Sequence, residues 1–231
     1  MLSNLSEQAL HHVLRLYNTS WMEGTIPDPW RHSIVIPMLK DGKDPTRPDS
    51  YRPISLTSHL CKLMESMVVG RLRWYLESKK HFHPSQSGFR QGRSTLDHIL
   101  RLHDTVYKAL NNQRSVLAVF LDIEKAYDMV WRNGLLIKLH KLGIQGNMLK
   151  WIRSFLSNRS FQVRIGNTLS DTFKIDNGIP QGSVISPILF AVMMNDLPSE
   201  IGMENALFAD NCAVWKVGYL FRRSSPRSKK P

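Results

Sequence analysis

The chain has 231 residues, 42% of them hydrophobic, enough for one large core or two modest ones and ordinary for a soluble globular protein. Its 31 Lys and Arg against 19 Asp and Glu leave a formal net charge of +12, which points to a polyanionic partner, phosphate backbones ahead of acidic membrane surfaces. Cys61 and Cys212 are far apart and lack ligand spacing, which argues against a disulfide framework and a zinc site; no apolar run approaches the roughly 18 residues of a membrane span, and the start lacks a signal-peptide pattern. The expectation is an intracellular protein, nuclear or cytoplasmic, in a reducing compartment.

From Ser3 to about Tyr17, Leu5, Ala9, Val13 and Leu16 recur at helical spacing behind Ser and Asn caps, and Pro27 and Pro29 end that region. HSIVIPMLK reads as a strand, and DGKDPTRPDS after it as a turn-rich loop that stays out of the core. A helix is expected from His59 to Ser78 with Leu60, Leu63, Met64, Met67, Val68, Leu72 and Tyr75 as its apolar face. HFHPSQSGFRQGRS breaks the pattern. TLDHILRLHDTVYKALNN resumes it with Leu96, Ile99, Leu100, Val106 and Leu110 inward, and SVLAVFLD then reads as a strand ending in Asp122.

Helices are expected near Asn133 to Leu142 and Asn147 to Leu156, followed by a hairpin built from FQVRIGN and DTFKID around Gly166 and Asn167, then a loop and another helix. NALFADNCAVWKVG has apolar residues on both sides of Ala209, Asp210 and Asn211, the pattern of two strands meeting at a tight turn. The tail from Tyr219, rich in Arg and Lys, has no periodicity and reads as disordered; a nuclear-import or phosphate-binding role for it is weighed against a solvated tail of no function. The mixed order of strands and helices argues an α+β architecture.

Asp122 at a strand end and Asp210 at a hairpin tip would make a divalent-metal pocket if the fold brought the tips together, because hard cations want carboxylate oxygens. Spacing alone favours the plainer reading of two scattered aspartates as strand-end and turn residues. The histidine pairs His11/His12 and His81/His83 have no partnering Cys or acidic cluster and read as surface or core polar residues.

Motif context changes that balance. FLDIEKAYD (residues 120–128), NGIPQGSVISPILF (177–190) and LFADN (207–211) resemble, in order and spacing, the three palm motifs of reverse transcriptases. SYRPISLTSHLCKLMES (50–66) and HPSQSGFRQGRST (83–95) are similar to fingers segments of the non-LTR, jockey-like LINE branch of that family. The resemblance implies a right-hand polymerase fold with residues 1–29 as an N-terminal helical segment, 30–114 fingers-like, 115–217 palm with an antiparallel sheet packed on helices, and 218–231 a basic disordered tail. It also implies Mg²⁺, two ions with Mn²⁺ as a substitute, held by Asp122, Asp210 and the Ile123 carbonyl. The partners it implies are an RNA template, a DNA primer and dNTPs, with no membrane.

In the same terms Tyr127 is the gate that excludes a 2′-hydroxyl; Gln181, Gly182 and Arg52 meet the nucleotide, Ser183 caps the next helix, and Arg90 and Arg93 meet the template. The third motif of the family ends in two aspartates, whereas here Asn211 follows Asp210. The sequence after the third motif is too short for a thumb, and no endonuclease segment precedes the fingers, so the expectation is an impaired copy with negligible processive synthesis. The alternative is a non-catalytic nucleic-acid-binding remnant.

Overall fold

In a computed structural model of the chain, the described residues are 5–219, so the expected basic tail lies outside them from residue 220 onward. In chain order the elements are α1 (Glu7–Glu23), β1 (His32–Leu39), β2 (Tyr51–Leu56), α2 (His59–Ser78), α3 (Thr95–Asn111), β3 (Arg114–Asp122), α4 (Arg132–Lys141), α5 (Gly146–Leu156), β4 (Arg159–Ile165), β5 (Thr168–Leu169), β6 (Phe173–Ile175), α6 (Ser186–Met193), α7 (Leu197–Ile201), β7 (Glu204–Phe208) and β8 (Asn211–Tyr219). Contacts divide them into two units, Met1–Phe82 with Lys125–Asn195 and His83–Glu124 with Asp196–Pro231.

In the first unit, α1 begins where Ser6 accepts the Ala9 N–H at 3.3 Å and runs past Tyr17 to Glu23. Its stop is Gly24 in the left-handed conformation, before the prolines expected to end it. The sheet has the order β2-β1-β4-β5, with β6 also on β4; β1 is antiparallel to β2 and parallel to β4. The expected hairpin forms from β4 with β5 and β6, turning at Gly166 and Asn167. Strand β2 was not expected. Pro53 sits opposite Pro37 in its ladder, and proline in a strand is tolerated at a sheet edge, where β2 lies. Ser50, at the end of the loop expected to stay out of the core, is buried.

The core of this unit gathers Leu72 and Leu76 of α2, Leu135 and Leu139 of α4, Trp151, Ile152 and Phe155 of α5, and Leu189 and Phe190 of α6. The one polar atom of Trp151 is satisfied by donating to Ser20 Oγ at 3.1 Å. Helix α2 has the expected bounds but a rotated face: Leu60 and Met67 are exposed, while Cys61, Glu65, Val69 and Leu76 are buried. The stripe read from large aliphatics alone missed the positions where a cysteine and an acid complete the buried side.

In the second unit, β3-β8-β7 form an antiparallel sheet, with β3 and β8 in register from Arg114↔Tyr219 to Asp122↔Asn211. Gly218 and Tyr219, expected in the disordered tail, are therefore ladder residues, and Arg114 stacks its guanidinium 4.9 Å from the Tyr219 ring. Helix α3 packs on β3 but not through its aliphatic stripe. Leu96, Ile99, Leu100 and Leu110 are 57, 60, 57 and 63% exposed, Val106 is half-buried and Ala109 is buried. The side of α3 that reaches the sheet carries His98, bonded to Leu207, and Arg101, whose guanidinium lies 5.7 Å from the Trp215 ring.

Leu72→Ala should destabilise the chain by about 2–5 kcal/mol through loss of buried contact plus a residual cavity, while Leu60→Ala should cost under about 1 kcal/mol. Urea unfolding of the two variants measures this; equal losses would restore the face read from the sequence.

Candidate functional site

In the second unit the geometry centres on the β7–β8 hairpin. Its turn passes through Ala209, at φ 58°, and Asp210, and the last ladder pair beyond it is Asp122↔Asn211. The Ile123 N–H donates to the Asp210 carbonyl at 3.1 Å, so the chain leaving β3 stays bonded to the turn. The end of β3 thereby lies beside the turn that carries Asp210. Asp122 is exposed and Asp210 half-buried; the Asn211 amide donates to Asp210 Oδ1 at 3.3 Å.

Directly paired residues on antiparallel strands project to the same face with Cβ atoms about 4.5–5.5 Å apart, so Asn211 is the side chain across from Asp122. An aspartate there would put like charges face to face.

The turn is gripped by residues 85–88. The Leu207 N–H donates to Ser85 O at 2.8 Å and the Ser87 N–H to Leu207 O at 2.9 Å, an added parallel bridge on the outer edge of β7. Gly88 follows at a distance that only glycine allows, since a Cβ there would lie 2.2 Å from the Ala209 nitrogen. His98 donates from Nε2 to the same Leu207 carbonyl at 3.1 Å, which fixes the Nδ1-unprotonated tautomer. Of the two arginines in this segment, Arg90 donates to the carbonyls of Gln86 at 2.9 Å and His83 at 3.3 Å, and Arg93 is exposed.

In the first unit, Tyr127 is half-buried and its ring stacks on Phe190, centroids 5.2 Å apart and planes 8° from parallel. The loop at 177–182 is bonded to the turn that carries it: Ile179 N–H to Tyr127 O at 2.8 Å and Gly178 N–H to Val130 O at 3.0 Å. Arg132 clamps the loop from α4, donating to the carbonyls of Gly178 at 2.7 Å, Ile175 at 2.8 Å and Asn177 at 3.0 Å; burial pushes its pKa down, with Asp176 opposing.

The far end of the loop is bonded to β2. Gln181 O accepts the Ser55 N–H at 3.0 Å, and Gly182, at φ 102°, leaves no space for a side chain because a Cβ would lie 2.8 Å from Ser55 O. Gln181 is half-buried, and Arg52, three residues before Ser55, is exposed. Ser183 Oγ accepts the Ser186 N–H at 3.2 Å, but the cap of α6 is Ile185, without a side-chain bond, so the capping position expected for Ser183 falls two residues later.

Arg132 and His98 were not singled out from the sequence, and residues 85–88 were marked only as part of the fingers-like segment 83–95, not as an anchor of the hairpin. Among the described residues no group of three or more His, Cys, Asp and Glu gathers as a metal cluster. Two acceptor-only carboxylates at neighbouring strand ends are the donor type a hard divalent cation takes. No helix among the described residues is long and apolar enough to cross a membrane.

An α+β chain with carboxylates at the end of one palm-type strand and at the adjoining hairpin tip has the build of a nucleic-acid polymerase. Residues 39–216 match the family model described as reverse transcriptase (RNA-dependent DNA polymerase), and the chain belongs to that family. It is 35% identical over 197 residues to the probable RNA-directed DNA polymerase from transposon BS of Drosophila melanogaster, covering 85% of this chain and 22% of that protein. It is 34% identical over 218 residues to the RNA-directed DNA polymerase from mobile element jockey of the same organism, covering 91% and 24%. The chain thus spans less than a quarter of these relatives' length.

Among solved structures, apo telomerase from Candida tropicalis superposes with a TM-score of 0.59 at 14% identity, over 92% of this chain and 49% of that one, a likeness of fold. The expected non-LTR, jockey-like affiliation and fingers-and-palm fold are borne out. Members of the family depend on divalent metal.

Burial lowers the pKa of His98, with Arg101 and Arg93 acting in the same direction and Asp97 and the bond to Leu207 against it. A base whose folded pKa lies below its unfolded value near 6.5 gives stability that is present above that value and lost as pH falls through the folded pKa. Thermal melting from pH 7.5 downward should therefore fall more steeply for the parent chain than for His98→Gln; parallel curves would contradict a His98 pKa lowered by burial.

Proposed function

We propose that this chain is the fingers and palm, residues 30–114 and 115–217, of an RNA-directed DNA polymerase of a non-LTR retrotransposon, acting inside the cell, in nucleus or cytoplasm. Its substrates are dNTPs added to a DNA primer 3′-hydroxyl on an RNA template. The observation that carries the reading is the bonding of the β3 end to the Asp210 turn, which brings Asp122 and Asp210 to one edge of the three-stranded sheet. In this reading the two carboxylates, with the Ile123 carbonyl, hold Mg²⁺, or Mn²⁺ in its place. Divalent ions held there would supply activation of the 3′-hydroxyl and charge stabilisation of the leaving pyrophosphate.

The remaining roles belong to the chain's own side chains. The Tyr127 ring, braced flat against Phe190, screens the sugar and admits deoxyribose by shape. Gln181 and Gly182 offer a side-chain amide and a backbone without a Cβ to the incoming nucleotide, and Arg52 offers a guanidinium fork to its phosphates. Arg93, exposed, meets template phosphate, and Arg90 supports the same segment through its carbonyl contacts while adding charge. The net charge of +12 suits such polyanions.

Asn211 favours a second reading for this copy, a nucleic-acid-binding remnant with impaired chemistry. A unit charge about 4 Å away is worth roughly 4 kcal/mol at an effective dielectric near 20. Each 1.4 kcal/mol of barrier is about tenfold in rate, so losing one carboxylate removes up to about three orders of magnitude.

Mg²⁺-dependent primer extension on an RNA template separates the readings. The parent should extend negligibly, Asn211→Asp should raise the rate by about 10²–10³, and Asp122→Ala in that background should abolish it. If neither the parent nor Asn211→Asp extends while both retain the primed template, the remnant reading replaces the polymerase one; robust extension by the parent would overturn the claim that Asn211 impairs it.

A further inference from the structure

Helix α2 carries an acid on its buried side. Glu65 is 0% exposed and sits one turn from Cys61, also 0% exposed, on the stripe that includes Met64, Val68 and Leu72. Burying a carboxyl is costly without partners, and the partners here are specific. Oε2 accepts the N–H of Val184 at 2.6 Å and of Ile185 at 3.1 Å, the two amides between Gly182–Ser183 and the first turn of α6. These N–H groups have no partner within α6, because the first amides of a helix lack carbonyls to pair with. The next one, Ser186, is taken by Ser183 Oγ, which also bonds Ser186 Oγ at 2.5 Å.

Arg159, 1% exposed at the start of β4, lies near the carboxyl and pulls its pKa down, against the larger rise caused by burial. Arg159 stays in place by donating to Phe155 O at 3.0 Å and lying 4.8 Å from the Phe155 ring.

We propose that Glu65 is a positioning residue for nucleotide binding: its Oε2, fixed by the core of α2, holds Val184 and Ile185 and thereby sets the pose of Gln181 and Gly182. The loop has two other fixed ends, Arg132 on the carbonyls of Ile175, Asn177 and Gly178, and the Ser55 N–H on Gln181 O. Both of those leave the amides of Val184 and Ile185 to Glu65, since no other described side chain bonds them. What matters is an oxygen acceptor at that point, so glutamine can replace glutamate and an aliphatic cannot. The proposal rests on reading Gln181 and Gly182 as nucleotide contacts.

Two measurements on the full chain, parent against Glu65→Gln and Glu65→Met, test it. Amide hydrogen exchange across 178–190 reads the loop, and calorimetric titration with dTTP and Mg²⁺ reads nucleotide binding. Glu65→Gln should keep both within about threefold of the parent. Glu65→Met should speed exchange at 181–186 and weaken dTTP binding by about tenfold or more each, with β7 and β8 peptides unchanged.

Unchanged exchange in Glu65→Met overturns the proposal, and so does faster exchange with unchanged dTTP affinity, which would leave Glu65 a helix cap only. If Glu65→Met fails to fold, a folded Glu65→Gln with a loosened loop or a tenfold loss of affinity overturns it instead, and parental values uphold it. A parent that binds no dTTP, with the loop still loosened in Glu65→Met, would defeat the nucleotide reading of the loop and leave the anchor standing.

Discussion

The second unit depends on a backbone contact: residues 85–88 bonded along Leu207, with Gly88 set against the amide of Ala209 too closely for any side chain. Hairpin turns are ordinarily among the more mobile parts of a sheet. Here the Leu207 carbonyl receives both the Ser87 N–H and the His98 ring, and the Ile123 N–H closes on Asp210 from the other strand. Asp210 is thereby tied on two sides by groups that do not depend on its own side chain, which leaves the carboxylate available for a ligand. A polymerase metal site needs that kind of support, because carboxylates held by their surroundings need no reorganisation when an ion arrives.

The first unit solves a similar problem for a loop. Residues 177–185 carry few side chains that can anchor themselves, and their amides and carbonyls are held instead by Arg132 from α4, Ser55 from β2 and Glu65 from α2. Each anchor sits on a regular element packed into the core, so the loop's geometry is set by elements distant in sequence. Tyr127 enters the same arrangement through its carbonyl, bonded to Ile179, and its ring, flat on Phe190.

Sequence carried the parts of this architecture that are local. The β7–β8 hairpin, β3 and the bounds of α2 follow from alternation, apolar runs and capping serines, and the motif order pointed to Asp122 and Asp210. Strand β2 was hidden by Pro53, which reads as a loop residue until its place at the sheet edge is known. The face of α3 was misread because periodicity marks the aliphatic stripe, and here the sheet is met by His98, Arg101 and Ala109 instead. Glu65 and Arg132 escaped because a charged residue in a helix is usually solvated, and only tertiary contacts show that their partners are orphaned backbone groups. An acid between Met64 and Val68 on a buried stripe was the one visible trace.

Asn211 is where ancestry and chemistry part. It sits across from Asp122 and spends its amide on Asp210, so it stabilises the hairpin end that an aspartate would charge. In the proposed function Asp122 and Asp210 still form a divalent-cation site with this neighbour. Titrating Mn²⁺ into the isotope-labelled chain and following amide line broadening tests it directly. Asp122, Ile123, Ala209, Asp210 and Asn211 should broaden first, and Asp122→Ala should remove the effect. Uniform broadening, a first response elsewhere in the chain, or persistence in Asp122→Ala would contradict it.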